Sequence, residues 1–95
     1  MGTPVTQPIK LVALLVKRST GELATKNIIK NRAWRLIVIK LGLWLSTLAD
    51  AYPPEEYRLV VSLDGDDEDE RVKKLKEWFR KKGITILEET IEKAK

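Results

Sequence analysis

The spacing of apolar positions changes three times along the chain. "IKLVALLVKR" (9–18) is a short run rich in β-branched residues, too continuous for a strand wetted on one face. It predicts a central strand or one covered on both faces. "STG" then offers a turn, with Gly21 supplying a backbone angle other residues avoid, and "ELATKNII" returns as a second strand from Glu22 to about Ile29. The two form a hairpin.

From Asn31 the period lengthens. Ala33, Ile37, Leu41, Trp44, Leu45, Leu48 and Tyr52 recur at intervals of three and four until Pro53 and Pro54. This predicts one long helix capped by Asn31. The competing reading is a strand over "RLIVIKL" and a shorter helix after Gly42. Leu36, Ile39 and Leu43 fall opposite the main stripe, so the helix is apolar on nearly every side. Such a helix must be the centre of the core or lie in a subunit interface. It does not span a bilayer, because the uncharged stretch between Lys40 and Asp50 is far short of the roughly 20 residues required.

"YRLVVSL" (57–63) alternates, with Tyr57, Leu59, Val61 and Leu63 on one face and Arg58, Val60 and Ser62 on the other. "DGDDEDERVKKLKEWFRKKG" reads as a helix with acids at its start, bases at its end and Gly83 beyond it, complementing the macrodipole at both termini. Val72, Leu75 and Phe79 form its buried stripe. "ITILEETI" (84–91) closes as a strand, so the last unit is βαβ with parallel strands. The expected fold is α+β: two layers, a mixed four-stranded sheet in order β-β-α-β-α-β, with two helices packed on it. Residues 1–8 are expected to be a flexible N-terminus and 9–95 a single domain.

Composition narrows the chemistry. At 95 residues the chain holds one core, and 43% apolar residues make it globular rather than disordered. With no cysteine and no histidine, the thiolate nucleophile, the Ser-His-Asp relay and the commonest metal ligands are all excluded. "MGTPVTQPIK" does not read as an export signal, which makes the cytoplasm the expected location. Few amides, no cysteine and 34% charged residues match the composition of proteins from hot environments.

Charge is segregated. Residues 1–49 carry eight Lys or Arg against Glu22 alone, whereas residues 50–95 carry ten bases and thirteen acids, so the net +4 arises entirely in the first half. A one-signed region of this kind suits a polyanion.

The acidic run "DGDDEDE" (64–70) raises a metal-dependent nuclease, with Asp64 and Asp66 as ligands. Its glycine is misplaced for a calcium loop, and acids at a helix start already have a structural cause. Ser19, Thr20 and Gly21 do not make a phosphate loop. The expectation is a protein that is not an enzyme and carries no metal and no cofactor.

The basic half carries the stronger signal. Lys10, Lys17 and Arg18 lie on or at the end of the first strand and Lys26 across the hairpin. Lys30, Arg32 and Arg35 continue into the helix start, and Arg58 lies on the third strand. Cations at a helix N-terminus oppose its dipole, and a phosphate there relieves both. Trp34, set among them, offers a flat face for a base. A core position is the other reading for Trp34; Trp44 reads as core, and Trp78, beside Lys74, Lys81 and Lys82, as half-buried packing or a second contact site.

No zinc-finger spacing, ribonucleoprotein aromatics or Gly-x-x-Gly loop is present, so backbone charge and stacking would dominate binding. In the basic hairpin "LLVKRSTGELATKNI", the Trp-bearing apolar helix and the closing βαβ, the chain resembles the ThermoDBP-related single-stranded DNA-binding proteins of hyperthermophilic archaea. It carries no long C-terminal zipper of the kind some members use to dimerise. The resemblance implies strand protection, with Lys17, Arg18, Lys26, Arg32 and Arg35 on phosphates and Trp34 under a base.

The expected function is therefore sequence-nonspecific binding of single-stranded DNA, with RNA possible, by a homo-oligomer. An assembly subunit is the first alternative and a small metal-dependent nuclease the second.

Overall fold

Alternate residues of the first strand carry the core. In the computed structural model, which describes residues 7–87, β1 (Ile9–Lys17) buries Ile9, Leu11, Ala13 and Leu15 and leaves Val12, Leu14 and Val16 half-buried on the other face. β1 is central, as its continuous apolar run predicts, but helices cover one face only. It pairs antiparallel with β2 (Leu23–Asn31) and with β3 (Tyr57–Asp64); β4 (Thr85–Ile86) adds parallel to β3. The sheet order is β2-β1-β3-β4.

Together with α1 (Trp34–Leu48) and α2 (Glu70–Lys81), these strands give the expected order β-β-α-β-α-β and a two-layer α+β fold. The inward side chains of β1, β3 and β4 meet Ile37 and Leu41 of α1 and Val72, Leu75 and Phe79 of α2 in one cluster. Gly21 takes φ 77° in the hairpin turn, and Gly83 takes φ 74° after α2. Both need the left-handed region that glycine enters without strain.

Several boundaries depart from the sequence reading. The side-chain oxygen of Asn31 accepts from the Ala33 amide at 2.9 Å, so Asn31 forms a turn and Ala33, without a side-chain cap, occupies the helix start. The local turn competes successfully with helix because the short Asn side chain reaches its own backbone. The helix stops at Leu48, before Tyr52.

Of the acidic run, Asp69 and Glu70 alone stand at the start of α2. Asp66 accepts from the Glu68 and Asp69 amides at 2.9 Å through its side chain and its carbonyl, respectively, making a turn, and Asp69 caps the helix by accepting from the Arg71 amide. Gly65 sits in this turn because a Cβ there would come within 2.9 Å of the buried Val72 side chain. The final strand is two residues long where eight were expected, and positions 88–91 lie outside the described residues.

Arg71 braces this end of the domain. Its guanidinium makes two bonds to the Asp69 carboxylate, 3.1 Å from Nε and 2.6 Å from Nη2. Nη1 reaches the carbonyls of Gln7 at 3.0 Å and Arg32 at 2.7 Å. One side chain thus joins the segment before β1, the β2–α1 link and the start of α2. Chiefly because Arg71 donates these hydrogen bonds, the Asp69 carboxyl is held below its ordinary value. No helix among the described residues is long and apolar enough to cross a membrane.

Candidate nucleic-acid interface

Register decides which cations share a surface. On the face of the sheet away from the helices, Lys10 stands between Lys30 and Asp64, Val12 between Ile28 and Ser62, Leu14 between Lys26 and Val60, and Val16 beside Arg58. Four cations from three strands therefore share one face, with Asp64 its acid and an aliphatic strip between them. Ile28 is 51% exposed, whereas Val60 is buried at 6%. The period-two spacing of "KNIIK" in β2 places Lys26, Ile28 and Lys30 together, and that spacing is legible in the sequence.

The remaining sequence-predicted residues divide. Arg32 is exposed at the corner where β2 passes into α1, two residues beyond Lys30 and three before Arg35. Lys17 lies at the far end of β1, opposite Tyr57 and on the helix side of the ladder, roughly 23 Å from Lys10 at about 3.3 Å per residue. Arg18 donates through Nε to the Pro54 carbonyl at 3.0 Å and through its amide to Glu56 at 2.8 Å. Both lie away from Lys10 and Lys30, at the end of the sheet where Arg58 stands opposite Val16, and Arg18 and Arg58 line one pocket there.

Trp34 belongs to the helix layer. It is half-buried against the core with the Arg35 guanidinium 5.5 Å from its ring centroid. Trp34 also lines a shallow crevice between the helices, of about 120 Å³, with Lys74, Glu77, Trp78 and Lys81. The Lys82 ammonium lies 5.6 Å from the Trp78 ring. The sequence reading did not connect Trp34 with Trp78, which lie on different helices. Trp44, expected in the core, is half-buried against it.

The acids of the β3–α2 turn have structural partners: Asp67 pairs with Lys76 at 3.1 Å, Glu70 with Lys73 at 3.6 Å and Asp69 with Arg71. Among the described residues no three His, Cys, Asp or Glu side chains are grouped to hold a metal ion.

The outer face of α1 carries the other unusual surface. Leu36, Ile39 and Leu43 are 44%, 55% and 62% exposed. The all-round apolar helix is therefore not the centre of the core, since only Ile37 and Leu41 are buried. No protein-family model, curated protein or solved structure matches this chain.

Proposed function

We propose that the protein binds and protects single-stranded nucleic acid without reading its sequence, DNA being the preferred strand. The observation that carries this is the convergence of Lys10, Lys26, Lys30 and Arg58 on one sheet face around an aliphatic strip. Phosphates would lie on the cations and bases against Val12, Leu14 and Ile28. Arg32 leads round the end of β2 to Arg35 and Trp34, where a base can stack on the indole or on the guanidinium plane beside it. The ThermoDBP-like layout supports the same reading.

The test is a titration with an oligothymidylate and its RNA counterpart at two salt concentrations. Affinity should fall steeply with salt, as counterion release requires, and DNA should bind more tightly than RNA. Equal affinity for an uncharged peptide-backbone analogue of the strand would defeat the proposal. Incubation with magnesium or manganese should leave both strands uncut.

A second reading, assembly through a protein interface, is favoured by the exposed Leu36, Ile39 and Leu43. Contiguous exposed apolar groups of this kind mark association surfaces. The two readings are compatible, because this face of α1 points away from the sheet.

A further inference from the structure

A pocket lies on the helix side of the sheet, at the end away from the Lys10–Lys30 row. Leu15 of β1, Leu45 of α1 and Leu59 of β3 supply apolar wall, and Tyr52 and Tyr57 meet edge to face at 5.1 Å beside them. Its volume is about 390 Å³, within the range of small-molecule sites, which are mostly apolar with a few convergent polar groups.

The polar group here is Arg18. Its Nε is tied to the Pro54 carbonyl and its amide to Glu56, while its two terminal nitrogens have no partner among the described residues. The tether fixes the guanidinium at the pocket's edge with one side of its fork free. That edge matches a carboxylate, whose two oxygens accept parallel hydrogen bonds. Arg58 also lines the pocket and no acid does, so charge selects an anion.

We propose that this pocket binds a free amphipathic carboxylate, its head on the Arg18 fork and its apolar tail against Leu15, Leu45 and Leu59. The proposal does not rest on the nucleic-acid reading: Arg58 borders both surfaces, but Leu15, Leu45 and Leu59 lie on the helix side and Arg18 is no part of the sheet-face row.

The test is amide NMR of the full chain titrated with octanoate and, separately, with octanol, which has the same tail and no charge. Octanoate should shift Leu45, Tyr52 and Tyr57 saturably, with octanol at least tenfold weaker. Arg18→Gln should reduce octanoate to the octanol level without moving core resonances. Absence of saturable shifts at these residues up to millimolar octanoate would overturn the proposal. So would equal binding of the two probes to the unaltered protein, a result that needs no variant to fold.

Discussion

Lys10 stands directly opposite Lys30 across the β1–β2 ladder, and neither makes an ion pair with a described residue. Like charges in this position oppose pairing of the strands, whereas opposite charges support it. A protein that keeps such a pair on an uncovered face has a surface suited to an anion that would relieve it.

Stability and binding should therefore move in opposite directions on charge reversal. Lys30→Glu should raise stability by about 0.2–1 kcal/mol, the scale of a cross-strand pair, while weakening oligonucleotide binding. Lys30→Ala should lower the slope of log K against log salt by about 0.7, one phosphate contact on a single strand. Thermal melts and salt-dependent titrations measure both. Unchanged affinity in Lys30→Glu would remove the sheet face from the interface.

Trp34 and Arg35 should fail differently. Trp34→Ala removes a half-buried indole and should cost about 2 kcal/mol of folding stability, less than a fully buried tryptophan would. Measured below its melting temperature, it should bind more weakly by roughly 1–3 kcal/mol with an unchanged salt slope, because stacking releases no counterions. Arg35→Ala should instead lower the slope. A folded Trp34→Ala protein with full affinity would make the indole a packing residue only.

Self-association is the expected consequence of the outer face of α1. Sedimentation at micromolar concentration should show a dimer or larger species, and Leu43→Lys, at the most exposed of the three positions, should shift it to monomer. A monomeric unaltered protein would count against this interface.

Acid should loosen the Asp69–Arg71 brace. The Asp69 carboxyl titrates below its ordinary value of 3.8 in the folded protein, chiefly through the hydrogen bonds from Arg71. A depressed folded value means the contribution is complete above the unfolded value and is lost as pH falls through the folded one. Melting temperature should therefore drop below about pH 4, and Asp69→Asn, which keeps a helix-capping oxygen, should show a shallower drop. Parallel curves for the two proteins would show that other groups govern the acid limb.

Gly65→Ala should destabilise the domain by about 1–3 kcal/mol, because its methyl group would press on Val72, itself fully packed in the core. Denaturant unfolding checks this, and an unchanged midpoint would mean that the turn can yield.

Periodicity in the sequence determined the element types, their order and the inward stripe of Val72, Leu75 and Phe79, because alternating or helical burial repeats locally along the chain. The alternation of "YRLVVSL" likewise placed Arg58 opposite the core face. Local competition decided the boundaries: Asn31 and Asp66 bond their own backbone neighbours and delay helices that composition alone starts too early.

Only the tertiary structure decided which cations meet. Lys10, Lys26 and Lys30 share a face through strand register, while Lys17 and Arg18, equally basic in sequence, fall at the other end of β1, where Arg58 stands opposite Val16. Trp34 and Trp78 come together because two helices lie side by side on the sheet, a relation no spacing of 44 positions encodes. The exposure of Leu36, Ile39 and Leu43 has the same origin. An apolar helix in a two-layer fold has only one layer to pack against, and its far side is left to whatever the molecule meets.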